Sequence, residues 1–336
     1  MGNVGSSEAT RRQILGAAVA AAGGACSRSS SERVAMTAAP AQASHTASAA
    51  DEPGDGATIP LRKLGKTEVE VEPVSLGGEG ILRTRGQFAE AVPMIEEALR
   101  LGVRYCDTAP AYAQSQDYYG AAFRNDPAAR KRVFLASKTH DRTRDGALRL
   151  LDDSLQRLGT TWLDSWQLHD LRDEGDLDAI FGKGGAIEAV EQARADGRIR
   201  HVGITGHHRP SILVEAMKRY PVDTVLCAIN PADPARAPFL STVVAEARAR
   251  GIGVVAMKVM GAGRILADGA ATPEELIRYA ASHADTAIIG CSSISEVRQN
   301  FAVRSAFRAL PEVDLAALER RLSPRAARYD TFKAGA

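Results

Sequence analysis

Residues 103–112 read Val103-Arg104-Tyr105-Cys106-Asp107-Thr108-Ala109-Pro110-Ala111-Tyr112. The first half is β-prone and ends on a carboxylate. The small residues and the proline after it mark a loop that carries a tyrosine. Two later stretches repeat this form. Val133-Phe134-Leu135-Ala136-Ser137-Lys138 ends on a lysine, and Asp164-Ser165-Trp166-Gln167-Leu168-His169 ends on a histidine. Asp107, Lys138 and His169 are evenly spaced at about 30 residues, the length of one strand-plus-helix unit. Parallel strands joined by crossover helices bring their C-terminal ends to one face. Asp107, Tyr112, Lys138 and His169 should therefore converge there.

Outward from these segments the same alternation continues. Strands are expected at 74–76, 103–107, 133–137, 164–168, 201–205, 224–230, 253–258 and 286–290. Most are separated by enough chain for a crossover helix. The helix over 88–101 carries Phe88, Val92, Ile95 and Leu99 on one face, and that over 147–158 carries Leu148, Leu151, Leu155 and Leu158. A helix over 186–194 stops at Gly197, and Thr272-Pro273-Glu274-Glu275 reads as a helix N-terminus. Before the first strand, 61–71 reads as a hairpin turning at Gly65-Lys66, placed to plug the N-terminal mouth. The sum is an α/β chain: a (β/α)8 TIM barrel with an N-terminal β-hairpin over residues 59–330. A doubly wound sheet also alternates, but no GxGxxG follows the first strand.

Residues 1–58 read as a signal and linker. Arg11-Arg12 precede a short Ala/Gly-rich apolar run, 14–25, too short for a stable bilayer span. The pair resembles a twin-arginine (Tat) export signal, so the protein is expected outside the cytoplasm. Cys26 follows Gly23-Gly24-Ala25 and could accept lipid; signal cleavage near Ala39 or Ala43 is the alternative. The stretch 27–57, rich in Ala, Ser, Thr, Gly and Pro, lacks the apolar area to offset its ordering entropy and is expected disordered.

The 336 residues carry a formal net charge of +1, with 5% aromatics. That excludes a bulk electrostatic case for nucleic acid or membrane surfaces and a stacking platform for single strands. The four cysteines, Cys26, Cys106, Cys227 and Cys291, show no CxxC pairing and read as small hydrophobes. His207-His208 are read as loop histidines without a nearby acid, so no metal is expected.

The segments RKLGKTEVEVEPVSLGGEG, DTAPAYAQSQDYYG, ASKTH, DSWQLHD and GRIRHVGITG occur in the order and spacing of one family. From about 61 to 301 the chain resembles the aldo-keto reductase superfamily. The resemblance implies a monomer or weak oligomer using NADP or NAD to interconvert a small-molecule carbonyl and an alcohol. It implies Tyr112 as proton donor, Lys138 as its electrostatic partner, Asp107 as the carboxylate fixing that lysine, and His169 as the residue orienting substrate. The chemistry of the residues agrees. A free phenol titrates near pH ~10, and an adjacent ammonium would favour its anion. A histidine can hydrogen-bond the oxygen on which charge builds. Loss of Lys138 is expected to damage the reaction more than the fold.

The resemblance also implies cofactor contacts. Thr205, Gly206 and Cys227 stand where the family clamps the nicotinamide, an altered clamp. Ile229 stands where many members stack a tyrosine. Gly290, Ser292, Glu296 and Asn300 fall in the phosphate and adenine segment; Lys258 and Arg264 could meet phosphates. Glu296 replaces the arginine common in NADP-preferring members, and Arg298 could substitute for it. The tail beyond a closing helix over 313–322 is short, so an open pocket is expected, with loops 79–85 and 170–182 setting specificity. The weak clamp and the export signal leave one alternative, a barrel retained for binding or sensing with little turnover.

Overall fold

The computed structural model describes residues 59–305 and 307–333. The twin-arginine segment and Cys26 lie outside them. A two-stranded antiparallel hairpin, β1 (Arg62–Lys63) and β2 (Glu70–Val71), precedes eight parallel strands. These are β3 (Val74–Gly80), β4 (Tyr105–Asp107), β5 (Phe134–Thr139), β6 (Leu163–Leu168), β7 (Ile199–Gly206), β8 (Thr224–Ala228), β9 (Gly253–Met257) and β10 (Thr286–Cys291). They close in chain order, with β10 pairing β3. All eight expected strands are present, their ends shifted by up to a few residues.

Strand alternation divides the core in two. Tyr105, Phe134, Ala136, Leu226 and Val255 point into the barrel, where Leu64 and Val71 of the hairpin cap them. The alternate residues, among them Cys106, Trp166, Val225 and Cys227, pack under the helices. Gly65 makes the plug possible: its φ is +55°, and a Cβ there would lie 2.3 Å from the Gly253 nitrogen. The helix Pro273–His283 begins as expected. Thr272 and Glu275 form a reciprocal capping box, and the proline stands in the first turn. Among the described residues no helix is long and apolar enough to cross a membrane.

The C-terminal tail departs from expectation. After the helix Glu312–Leu322, a last 3-10 turn, Thr331–Lys333, returns to the barrel mouth. Lys333 donates to the buried Asp233 carboxylate at 2.6 Å, which brings Phe332 onto the mouth. An exposed tail would have made that lysine a solvated charge; a buried acid recruits it.

Candidate active site

Lys138 and Asp107 are both fully buried, at 0% and 1% exposure. The ammonium donates to both Asp107 oxygens at 2.7 Å and to the Thr108 carbonyl at 2.9 Å. All three donors are thus spent, and the amine is held in one orientation. Burial alone pushes the Asp107 carboxyl up and the Lys138 amine down, and their mutual attraction opposes both shifts.

Tyr112 lies over this pair. Lys138 Nζ is 4.7 Å from its ring centroid, and the Arg83 guanidinium carbon stands 5.3 Å from the same centroid. The ring of His169 meets it edge-on at 5.7 Å and 84°. Gly78 admits the phenol ring, because a Cβ there would lie 2.6 Å from Tyr112 Cδ2. The structure therefore brings Asp107, Tyr112, Lys138 and His169 together.

The electrostatics correct one expectation. Burial, then Asp107 and Glu79, push the Tyr112 phenol well above its ordinary value. The lysine does not offset this, because its charge is matched by Asp107. The phenol is a neutral donor at physiological pH. Burial, then Lys138, holds His169 well below the ordinary imidazole value, so it too is neutral. A neutral imidazole keeps one N–H to donate.

Two cavities meet at Tyr112. The first, about 590 Å³, runs from Gly77 and Gly78 past Gly290 and Ser292 to Glu296 and Asn300. The second, about 760 Å³, is the mouth lined by Arg83, Arg142, His169, Asp170, Thr205 and Phe332. Glu79 and Lys258 line both and pair at 2.6 Å, which makes them the partition. Burial pushes the Glu79 carboxyl up, but Lys258 and Arg83 outweigh it and hold it below its ordinary value. Left-handed backbone at two non-glycine residues lies at this mouth, Asp170 (φ +56°) and Lys258 (+55°), and a third, Ala113 (+47°), directly follows Tyr112. Such strain persists where surrounding contacts over-determine it. At Asp170 those contacts are visible. Its N–H donates to Thr205 Oγ1 at 2.8 Å, and Arg142 donates to the carbonyls of His169 and Asp170.

Several cofactor expectations need revision. Cys227 is buried under the helices and lines neither cavity, since its strand neighbour Leu226 takes the inward position. Ile229 is buried in the same layer. Gly206 faces Leu171 and Leu213 rather than either cavity. Thr205 lines the mouth, and its hydroxyl, already accepting from Asp170, still has a proton to donate. Lys258 is engaged by Glu79, Arg264 lines neither cavity, and Arg298 pairs with Glu97 at 2.7 Å instead of turning to the groove. Gly290, Ser292, Glu296 and Asn300 do line the first cavity. Glu296 accepts the Ser292 N–H at 2.8 Å, while Ser293 caps the helix Ile294–Ala302.

The two histidines also differ from their reading. Asp170 Oδ1 lies 3.5 Å from His207 Nδ1 and 3.3 Å from His208 Nε2, so an acid does stand beside them. No sequence interval links Asp170 to them; pairing of β6 with β7 does. Burial holds His207 down, to about 4. Glu79, Arg83, Arg142, Asp170 and Phe332 are the site residues that motif spacing alone did not single out.

A closed barrel with a protonated phenol, a buried ion pair and a neutral imidazole at its C-terminal mouth is the constellation of a carbonyl-reducing oxidoreductase. The family model for the aldo/keto reductase family matches residues 73–273, and the chain belongs to that family of nicotinamide-dependent enzymes. L-galactose dehydrogenase of Arabidopsis thaliana is 26% identical over 287 residues, 73% of this chain and 88% of that one. A 6-dehydroglucose reductase of Novosphingobium aromaticivorans is 25% identical over 167 residues, 45% of this chain and 53% of that one. Among solved structures, an aldo-keto reductase from Bacillus halodurans in its holo form superposes with a TM-score of 0.65 at 21% identity, covering 79% of this chain and 96% of that one. The Bombyx mori aldo-keto reductase in complex with NADP gives 0.60 at 18%, covering 79% and 94%. These structural likenesses establish the fold.

Proposed function

We propose that this enzyme interconverts a carbonyl and an alcohol on a small polyhydroxylated substrate, with NAD(H) in preference to NADP(H). The observation that carries the chemistry is the meeting of both cavities at Tyr112. A groove of about 590 Å³ with a backbone-rich floor and a helix N-terminus suits a dinucleotide. Gly77, Gly78, Gly290, Ser292 and Asn300 would hold it there, and when bound it supplies the hydride. The chain's own part is then defined. Tyr112 gives its proton to the carbonyl oxygen in reduction and takes it back in oxidation. His169 donates a hydrogen bond to the same oxygen, strongest once that oxygen carries charge. Asp107 and Lys138 form a fixed buried ion pair beneath the phenol, with the ammonium 4.7 Å from the ring centroid.

The substrate class rests on the mouth. It is lined mostly by charged and polar groups, among them Arg83, Arg142, Asp170 and Asp176, with the rings of Tyr112 and Phe332 as aromatic faces, which suits hydroxyl groups better than an alkyl chain. Two of the curated relatives, L-galactose dehydrogenase and 6-dehydroglucose reductase, have names that point the same way. The NAD preference rests on Glu296, whose carboxylate already takes the Ser292 N–H, and on Arg298, which is turned to Glu97. A phosphate near Glu296 meets repulsion, and Arg298, two positions on, is turned away to Glu97. NADH oxidation with a panel of sugar aldehydes and ketones tests both. We expect kcat/KM with NADH to exceed that with NADPH about tenfold or more, ~1.4 kcal/mol. Glu296→Gln should narrow the ratio. Preference for NADPH, or turnover only with apolar aldehydes, would contradict the proposal.

Export by the twin-arginine route remains part of the proposal, supported by Arg11-Arg12 and the weak apolar run behind them. Replacing both arginines with lysine should retain the protein in the cytoplasm of the expressing bacterium. Unchanged fractionation would refute that route.

A further inference from the structure

We infer that Asp170, His207 and His208 form a site for one divalent transition-metal ion of the Zn²⁺ class, its open position facing the substrate mouth. Among the described residues, this is the one grouping of three His, Cys, Asp or Glu side chains whose ligand atoms lie close enough to share an ion. Bonds of about 2.0–2.2 Å in a tetrahedron place ligand atoms about 3.3–3.6 Å apart. The observed separations from Asp170 Oδ1 are 3.3 Å to His208 Nε2 and 3.5 Å to His207 Nδ1.

The hydrogen bonding around the three side chains points to an ion between them. His208 is only 6% exposed, and its Nδ1 lies 3.1 Å from the Lys333 carbonyl oxygen. A carbonyl can only accept, so Nδ1 carries a proton. With no second proton on the ring, Nε2 is a lone pair facing Asp170 Oδ1, also an acceptor. Both atoms are buried without a hydrogen-bond partner. Two buried acceptors in reach of each other, yet not aligned for an N–H···O bond, are costly unless a cation bridges them off the line. Each ligand is also held from behind. Arg172 grips the other Asp170 oxygen at 2.7 Å, the Lys333 carbonyl holds His208 Nδ1, and the Phe332 ring packs against that of His207 with centroids 5.6 Å apart. Outer contacts of this kind orient metal ligands.

Neighbouring residues rarely share an ion because their side chains diverge. Here they use different ring nitrogens, the near Nδ1 of His207 and the far Nε2 of His208, with ring centroids 4.3 Å apart. Asp170 and His207 line the substrate mouth beside His169, so a fourth ligand would come from that cavity as water or a substrate oxygen. The imidazole-carboxylate set suits Zn²⁺ better than Mg²⁺ or Ca²⁺. The ion would also tie Phe332–Lys333 to the barrel mouth through the two histidines.

Tag-free full-length protein, stripped with chelator, would be titrated calorimetrically with Zn²⁺. One ion per chain is expected, with affinity weakened more than tenfold in Asp170→Asn and in His208→Gln and unchanged in Tyr112→Phe. No stoichiometric binding, which would leave a protonated-histidine ion pair as the explanation, overturns the inference. Binding unchanged in a His207→Gln/His208→Gln double variant overturns it equally. Should that variant fail to fold by circular dichroism, Co²⁺ added to the wild type decides. Intense ligand-field absorption abolished by Zn²⁺ supports a four-coordinate protein site, and the weak spectrum of hydrated Co²⁺ refutes it. None of these readouts depends on carbonyl turnover, so the inference and the proposed reaction can fail separately.

Discussion

Tyr112→Phe is expected to lower kcat about 10²–10⁴-fold, the range for loss of a positioned acid, while leaving affinity for NADH within a factor of two or so. The substitution removes one oxygen and little else. The ring continues to fill the space opposite Gly78, and its contacts with Lys138, Arg83 and His169 are made by the ring rather than by the hydroxyl. The fold should therefore survive, and the loss should appear in kcat more than in KM. Steady-state kinetics and a fluorescence titration with NADH separate the two. Activity within a few-fold of wild type would mean that another group, or water, delivers the proton.

Lys138→Met is expected to cost about 3–5 kcal/mol of stability as well as activity, because it leaves a buried carboxylate without its countercharge. The 0% and 1% exposures of Lys138 and Asp107 are what set this size; a surface pair would be worth a tenth as much. This revises the reading from sequence, in which Lys138 mattered to the reaction more than to the fold. The paired change Asp107→Asn/Lys138→Met removes both charges and should recover much of the lost stability while turnover stays low. Urea denaturation of the wild type, both single variants and the double variant measures the coupling. A single variant as stable as wild type, or a double variant no better than the worse single one, would show that the pair is not an isolated buried unit.

The barrel was legible because its signals are local. Each strand is a short β-prone run, and the intervening helices carry their own periodicity and caps, as at Thr272–Glu275. The convergence of Asp107, Lys138 and His169 followed from the same regularity: equal spacing along the chain becomes adjacency around the barrel. The errors arose where position depends on side-chain direction or on chain distant in sequence. Cys227 lies on a strand of the right number, but period-two alternation turns it under the helices and leaves Leu226 inside. Lys258 and Arg298 read as free cations, yet each finds a carboxylate from remote sequence, Glu79 and Glu97. Phe332 reaches the mouth only because Asp233, far back in the chain, binds Lys333. Asp170 joins His207 and His208 across paired strands, an association that no motif spacing records.

The proposed reaction requires a substrate carbonyl to sit beside the Tyr112 hydroxyl. A crystal structure of the protein with NADH and an unreactive mimic of a sugar aldehyde measures this directly. The mimic's oxygen is expected within hydrogen-bond reach, about 2.6–3.2 Å, of both the Tyr112 hydroxyl and a His169 ring nitrogen, with the dinucleotide along Gly77, Gly290 and Asn300. A mimic whose oxygen lies against other groups, with Tyr112 unengaged, would contradict it.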